Sequence, residues 1–234
     1  MPHTLLMRLC GNIMSCGGHS RFDDRDTGLE PTKSQVLAMA ASAEGRQRSA
    51  SLTDLQALRM GVRIDAPGTV MVDFQTAGGS APDYYCIRHN GSAAHEIQKN
   101  PSISRKQYLC DADFLVGLEG DLSLLRRLHA ALENPKWVLF LGRKNCLPSV
   151  PVYLEDGLRE NTALLDALLS CPLSVLYRSR EPEEREFVIE ADFNSRFPIV
   201  QDVPLCFESE HRAFAYRRVQ RIKRAIAPNL VEVR

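Results

Sequence analysis

The sequence contains none of the motifs that identify the common enzyme classes. Among its 234 residues there is no HExxH, no GxSxG, no phosphate-binding P-loop and no dinucleotide-binding glycine fingerprint. The six histidines lie outside any such context. No motif of these enzyme classes therefore indicates a catalytic residue set, a cofactor or a metal.

Paired cysteines and long apolar runs are also missing. The seven cysteines include no CxxC pair, so the closely spaced ligands of a structural zinc site are absent. We interpret them as free thiols in a reducing cytosol. No stretch approaches the roughly 20 apolar residues that span a bilayer, and the N-terminal apolar run is too short for a signal peptide. We therefore expect a soluble, cytoplasmic protein without membrane contact.

The chain also has no net charge, because its 29 basic residues balance its 29 acidic residues. A protein that wraps nucleic acid by itself is usually basic overall. Any nucleic-acid role must therefore depend on local basic patches, or on a complex in which other subunits carry charge. The composition, 44% hydrophobic and 25% charged, is otherwise that of a globular protein.

The clearest local signal is a capped helix that follows a long loop. Residues 4–10 alternate as a first strand, and a glycine-containing loop follows them. Thr32 and Gln35 have the spacing of a capping box, an apolar face follows, and Gly45 is placed to end the helix. The sequence thus predicts strand, loop and helix in this order.

The remaining pattern predicts a sheet with few helices. We expect a short helix at 52–60, strands at 62–66, 69–76 and 106–120, helices at 122–134 and 162–169, a strand from Trp137 into a glycine-basic turn, two strands that could pair at 173–178 and 186–190, and an edge strand or terminal helix at 212–224. A polar excursion separates 69–76 from 106–120, which makes a long hairpin. The order predicts an α+β, ferredoxin-like βαββαβ sheet with helices on one face, a fold that RRM modules share.

Four basic patches could contact a phosphate backbone. A helix start offers free N–H groups and a partial positive charge, glycine lets a backbone approach closely, and cations mixed with aromatic rings suit RNA. The patches are the loop and helix start with Arg21, Arg25, Thr27, Thr32, Lys33 and Ser34; the turn at Gly142 with Arg143 and Lys144; the return strand of the hairpin with Arg105, Lys106 and Tyr108; and the stretch 212–224 with Phe214 and Tyr216. Spacing alone does not decide among them.

Two further kinds of site stay open on the residues alone. A histidine, tyrosine and lysine set in the excursion could cleave RNA by activating a 2′-hydroxyl; its members are Tyr84, Tyr85, His89, His95 and Lys99. The carboxylate run Asp23, Asp24 and Asp26 could hold Mg²⁺, although the interleaved Arg21 and Arg25 favour a salt-bridged loop.

Three blocks, taken together, resemble one family. They are LLMRLCGNIMSCGGHSRFDDRDTGLEPTKSQVLAMAASAEGRQR at 5–48, YLCDADFLVGLE at 108–119 and LFLGRKNCLPSVPVYL at 139–154. In order and spacing they resemble the CasD proteins, the 5′-handle subunits of type I-E CRISPR Cascade complexes. The resemblance runs to about residue 155 and more thinly through 205–223. One departure is Ser15-Cys16-Gly17, where the family usually has Ser-Trp-Gly, so the indole's contribution to this loop is lost.

The resemblance implies one domain with a protruding thumb. Its RRM-like core would span 1–155, including a β-hairpin thumb at 76–106, and the C-terminal part at 156–234 would complete the same sheet. It implies a non-catalytic subunit that caps the 5′ handle of crRNA and contacts the backbone subunit CasC and the large subunit CasA, with target DNA bound through the complex. It favours the patches at Lys33 and Arg143 as handle contacts.

The alternative is a metal-independent endoribonuclease that processes precursor crRNA. In the family that the sequence resembles, maturation belongs to a different subunit, CasE. A related branch in type I-C systems has a member that cuts the precursor itself, which keeps this alternative open.

Overall fold

The chain folds around one large sheet that carries few helices. The computed structural model describes residues 1–17, 24–77, 102–173, 183–208 and 212–226. Within them the strands are β1 (His3–Met14), β2 (Asp24–Arg25), β3 (Arg59–Ala66), β4 (Thr69–Ala77), β5 (Ser102–Gly120), β6 (Leu158–Arg159), β7 (Glu183–Ala191), β8 (Ile199–Cys206) and β9 (Ala213–Ile226). The helices are α1 (Lys33–Glu44), α2 (Thr53–Gln56), α3 (Leu122–Glu133) and α4 (Leu164–Ser170).

The sheet is predominantly antiparallel. Its order is β6-β1-β5-β3-β7-β9-β8, and all neighbours on this path are antiparallel. β4 continues β3 along the same side of β5, after a turn at Gly68 with a φ of 71°. A Cβ on Gly68 would lie 2.5 Å from the Cys110 carbonyl oxygen, so this turn requires glycine. The short strand β2 runs parallel to β5 on its other side.

Helices cover both faces of the central strands. Leu5 and Met7 of β1 pack in the larger apolar cluster with α1 and α3. Leu6, which points to the opposite face, packs with Leu115 and with α4 in a second cluster. The two helices of the predicted βαββαβ unit, α1 and α3, share one face as expected, whereas α4 covers the other. Both faces are covered because both alternating sets of β1 side chains are apolar. The predicted strand at 4–10 is confirmed and continues to Met14.

α1 begins and ends where the sequence predicts. The Gln35 N–H donates to the Thr32 hydroxyl oxygen at 3.3 Å, and Gly45 ends the helix with a φ of 73°. The returning half of the capping box is not formed, since no residue in the described ranges bonds to the Gln35 side-chain amide. Instead, the Lys33 N–H donates to the Asp202 carboxylate of β8 at 2.8 Å. The helix at 122–134 is confirmed as α3.

The long hairpin is present as a paired stem. Its register runs from Thr69 opposite Cys110 to Ala77 opposite Ser102. Most of the polar excursion predicted between the two strands, residues 78–101, lies outside the described residues.

Several other elements differ from the prediction. Residues 137–141 are not a strand, because their backbone makes isolated bonds, such as Ser15 N–H to the Leu141 carbonyl, rather than a ladder. Of the stretch 212–224, all but Arg212 belongs to β9. This strand lies between β7 and β8, so the stretch is neither a helix nor an edge strand. The short helix predicted at 52–60 is α2, which ends at Gln56 because Arg59 already belongs to β3. The sequence did not predict β8. No helix in the described ranges is long and apolar enough to cross a membrane.

Candidate nucleic-acid interface

Arg143 lies at a junction of three segments: the turn after Leu141, the base of the hairpin and the loop before α1. Its guanidinium carbon is 4.6 Å from the centre of the Tyr108 ring. It donates to the Gln107 carbonyl at 2.7 Å and to the carbonyls of Arg25 and Asp26 at 3.2 Å. A planar fork that stacks and donates at once fixes its neighbours more firmly than an ammonium does. Arg143 is therefore engaged by the protein itself.

The turn that carries Arg143 packs against the end of β1. Gly142 has a φ of 97°, and a Cβ at this position would overlap the Ser15 carbonyl oxygen. The flanking Leu141 and Cys146 are fully buried, and the Leu141 N–H donates to the Cys146 carbonyl at 2.7 Å. These contacts close the turn. Lys144, which directly follows Arg143, is exposed. The local sequence thus places one cation inside the junction and one outside.

Pairing of β2 with β5 brings further cations to the same region. Asp24 lies opposite Arg105, and Arg25 lies opposite Lys106. The side chains of Arg25 and Arg105 are exposed, and the Arg105 guanidinium carbon is 5.9 Å from the centre of the Phe74 ring. Lys106 donates to the Gln75 side-chain oxygen at 2.5 Å. Residues predicted as separate patches, from the loop, the hairpin and the turn, thus meet around Arg143.

The start of α1 is arranged differently from the prediction. The Lys33 side chain is only 2% exposed. Its ammonium donates to both Glu190 carboxylate oxygens at 2.9 and 3.0 Å and to the Gln56 carbonyl at 3.3 Å. Burial lowers the pKa of Lys33, while the Glu190 carboxylate opposes this effect. The predicted contact between this ammonium and RNA does not fit the structure, because the charge is already paired beneath the surface.

The helix N-terminus is also occupied by groups of the protein. Asp202 accepts from the Lys33 N–H, Thr32 accepts from the Gln35 N–H, and the Thr32 and Ser34 hydroxyls lie 3.1 Å apart. A carboxylate at this position takes the place that an anionic ligand would take. The prediction of a phosphate at the start of α1 therefore lacks its main physical support in this conformation.

The loop before α1 is held by Thr27. Its hydroxyl accepts from the Cys16 N–H at 2.9 Å and donates to the Gly28 carbonyl at 3.1 Å. Thr27 thus connects the loop to the Ser15-Cys16-Gly17 segment, in which Cys16 is fully buried. Arg21, the remaining predicted contact of this patch, lies outside the described residues.

The C-terminal basic stretch uses most of its arginines inside the protein. Arg217 is buried and donates to Asp202 at 2.6 and 2.8 Å. Arg221 pairs with Glu30 and Glu186, so it holds the loop before α1 against the sheet. Arg218 donates to two backbone carbonyls of the β7–β8 loop. These contacts favour a structural role for this fourth patch.

The parts of the chain that are described offer no metal site. They hold no cluster of three or more His, Cys, Asp or Glu side chains that could bind a metal. The His129 ring nitrogen lies 2.9 Å from the Leu154 carbonyl oxygen, and its ring contacts the Tyr153 ring in a tilted arrangement with 4.8 Å between ring centres. Asp23 and the set at 84–99 proposed for RNA cleavage lie outside the described residues.

Sequence reasoning missed the partners that decide how these cations are used. Asp202 and Glu190 lie more than 150 residues beyond Lys33, and no local pattern connects them. Asn145, whose amide donates to the Tyr108 hydroxyl at 3.1 Å, was also missed. Its signal was available, because it directly follows Lys144 in the glycine-basic turn.

Comparison with known proteins agrees with the family resemblance found in the sequence. The family profile described as CRISPR-associated protein (Cas_Cas5) matches residues 4–220. The chain is 29% identical over 169 residues to the CRISPR system Cascade subunit CasD of Escherichia coli strain K12, which covers 66% of this chain and 71% of that protein.

Two solved structures share the fold over nearly the whole chain. One, described as the crystal structure of a Cas protein, superposes with a TM-score of 0.75 at 39% identity and covers 97% of this chain and 98% of its own. The other, a chain of a CRISPR RNA-guided surveillance complex, superposes with a TM-score of 0.77 at 28% identity and covers 97% and 91%. Because the family profile spans nearly the whole chain, the protein belongs to the CRISPR-associated Cas5 family.

Proposed function

We propose that this protein is a non-catalytic subunit of a Cascade-type surveillance complex that binds and caps the 5′ handle of crRNA. Its similarity to CasD and to a chain of an RNA-guided surveillance complex supports the proposal that it is a subunit of such a complex. Its partners would be the crRNA, a backbone subunit of the CasC type and a large subunit of the CasA type, with target DNA reached through the complex. The zero net charge fits a subunit whose RNA affinity arises in the assembly.

We also infer a ferredoxin-like, RRM-type core. The strands β6-β1-β5-β3 lie side by side in antiparallel pairs, with α1 between β1 and β3 in the chain and α3 between β5 and β6. This is the order expected for a βαββαβ unit. In this proposal, residues 1–155 form the core apart from its last strand, β6, and the thumb at 76–106 extends from the β4–β5 stem. The part at 156–234 supplies β6 and completes the same sheet.

The junction at Arg143 is the observation that carries the proposal. Arg143 ties its own turn to two other segments through their backbone carbonyls, and the three segments present Arg25, Arg105, Lys106 and Lys144 around it. Cations held on a rigid frame bind a bent RNA backbone at a lower entropic cost than mobile ones. The contact set is therefore centred on the turn and the hairpin base, with Arg143 as the positioning residue; Thr27, Thr32 and Ser34 shape the adjoining loop.

The test is the affinity of the assembled complex for its crRNA. We expect the triple variant R25A/R105A/K144A to bind more weakly by at least tenfold at 150 mM salt. Each lost phosphate contact should reduce the slope of log K against log salt by about 0.7. Lys136→Ala removes an exposed lysine that follows α3 and serves as the control, with no expected change.

Two results would contradict the contact set. One is unchanged affinity of the triple variant across the salt series. The other is an equal loss in the Lys136→Ala control, which would indicate a general effect of charge on the complex rather than a local contact.

The absence of catalysis has its own test. The purified protein is incubated with its repeat RNA in EDTA, and we expect the RNA to stay intact. Specific cleavage within the repeat would establish a metal-independent endoribonuclease instead, and residues 84–99 would then be the first to substitute.

A further inference from the structure

The sheet face that α4 covers continues beyond the helix as an exposed surface. Under α4, Ile189 of β7 and Ile222 of β9 pack in its apolar cluster. Further along the same face, β9 and β8 carry Tyr216, which is 57% exposed, and Ile199, which is 54% exposed. Phe193, in the loop between β7 and β8, is 69% exposed. Large apolar side chains exposed together usually mark a site of interaction.

Alternation along the strands places these side chains on one face. Tyr216 lies opposite Gln201 and Arg218 lies opposite Ile199. The intervening residues Asp202 and Arg217 point to the other face, where they form the buried pair beneath α1. We call the surface formed by Phe193, Phe197, Ile199, Gln201, Arg212, Phe214, Tyr216 and Arg218 the β8–β9 platform.

Arginines hold the rings of the platform in place. Arg218 donates to the carbonyls of Phe193 and Phe197, both at 2.7 Å, and its guanidinium carbon is 5.9 Å from the Phe193 ring centre. Arg212 lies 5.3 Å from the Phe214 ring centre. The exposed loop is thus fixed before any partner arrives, which lowers the entropic cost of binding.

The composition of the platform is that of a protein-binding surface. Its strand positions carry aromatic rings, an isoleucine, a glutamine and arginine, and none of them is Lys, Asp or Glu. Protein interfaces are enriched in aromatic residues and Arg and depleted in Lys, Glu and Asp at their centres. A surface with arginines and no carboxylate on its strands also favours a partner that supplies carboxylates.

Two other kinds of partner fit the platform less well. A nucleic acid needs cationic donors for its phosphates, but Arg218 already uses its Nε and Nη1 groups on backbone carbonyls. An added strand needs a regular edge, but β8 contains Pro204 and two register shifts. The Pro204 carbonyl also accepts from Gln56 at 2.8 Å. Bulges and proline are devices that prevent edge pairing.

We propose that the β8–β9 platform docks an apolar, carboxylate-bearing surface of another protein subunit of the same complex. The inference depends on the proposed function only in placing that partner within the complex. Apolar side chains of the partner would pack on Phe193, Ile199 and Tyr216, and its carboxylates would meet Arg212 at the margin. The site is separate from the junction at Arg143, which would hold the RNA.

The experiment compares complexes purified through a tag on this chain after co-expression with its own partner subunits and crRNA. In the variant F193D/Y216D, we expect one protein subunit to be depleted at least tenfold on a denaturing gel. Affinity for the 5′-handle RNA should stay within twofold of wild type. Val138→Asp, at a site that is 65% exposed and away from the platform, is the matched control and should keep all subunits.

Two further variants guard against misfolding and against a stacking role. Arg212→Glu reverses an exposed charge at the margin and removes the contact with the Phe214 ring, and it should reduce the amount of the same subunit several-fold. F193L/Y216L keeps apolar area but removes aromatic stacking, so it should retain the subunit within threefold. Thermal unfolding of each variant confirms its fold.

Three results would overturn the inference. The first is full subunit content in both F193D/Y216D and Arg212→Glu. The second is loss of RNA from F193D/Y216D while all protein subunits are retained, and the third is an equal loss of the subunit in Val138→Asp. If the triple variant at the junction fails to affect RNA while the platform variants still lose a subunit, the proposed RNA site fails and the platform stands.

Discussion

Arg143 and Lys144 are neighbours in the sequence, but the fold gives them different tasks. The guanidinium of Arg143 is engaged by three carbonyls and by the Tyr108 ring, whereas Lys144 is exposed at the tip of the same turn. Composition and spacing predicted both as RNA contacts. The distinction needed the carbonyl partners, which lie 36 to 118 residues away.

Arg143→Lys tests the positioning role directly. The substitution keeps the charge but loses the planar fork, so we expect the free energy of unfolding to fall by about 1–3 kcal/mol. Lys144→Ala should change stability by less than about 0.5 kcal/mol, because it removes a surface side chain. Both should weaken RNA binding. If Arg143→Lys weakens RNA binding with no loss of stability in urea unfolding, Arg143 is a direct contact rather than a positioning residue.

Cys16 shows a residue whose ionisation is controlled by burial. The side chain is fully buried, and burial raises the pKa of its thiol to about 12. In the unfolded chain, the pKa of a cysteine thiol is about 8.5. Between these values the native state keeps a proton that the unfolded state releases, so stability is present below the unfolded pKa and falls as pH rises above it.

The expected pH dependence can be measured by urea unfolding. From about pH 9 to 11, Cys16 should contribute a fall of up to ~1.4 kcal/mol per pH unit. Cys16→Ala removes this contribution, so its stability should fall less steeply over the same range. Parallel curves for the two proteins would show that the thiol is accessible and ionises normally in the folded state.

At the scale of elements, the local signals predicted α1, α3, β1 and the hairpin stem. Each depends on nearby residues: the Thr32 cap, the Gly45 end, or apolar alternation. β9 was ambiguous because its basic residues mask the alternation, and their partners, Asp202, Glu186 and Glu30, come from distant segments. β8, with Pro204 and two register shifts, has little strand pattern to detect.

The N-terminus of α1 separates a structural role from an RNA-binding one. Lys33→Met leaves the partly buried Glu190 carboxylate without its main partner, so we expect a loss of about 3 kcal/mol in the free energy of unfolding. The double variant K33M/E190Q should recover more than half of this loss, because the uncompensated charge is gone. RNA affinity of the folded Lys33→Met variant should stay within twofold of wild type; a tenfold loss would restore Lys33 as a handle contact.

At the scale of the whole molecule, the balance of charge conceals an uneven distribution. Many arginines are paired with carboxylates in the fold, including the buried group of Arg8 and Arg63 with Asp65. Around Arg143, pairing of β2 with β5 places Arg25 opposite Lys106, and the turn after Leu141 carries the exposed Lys144. The family resemblance predicted this region as an RNA contact, but the sequence could not show which cations the fold neutralises.

The most direct measurement is cross-linking from the 5′ handle of the RNA. Photoreactive nucleotides are placed in the handle of crRNA within the assembled complex, and the cross-linked peptides of this chain are identified by mass spectrometry. We predict cross-links at residues 102–108 and 141–146, around Arg143. Cross-links confined to the β8–β9 platform, or none to this chain, would contradict the account.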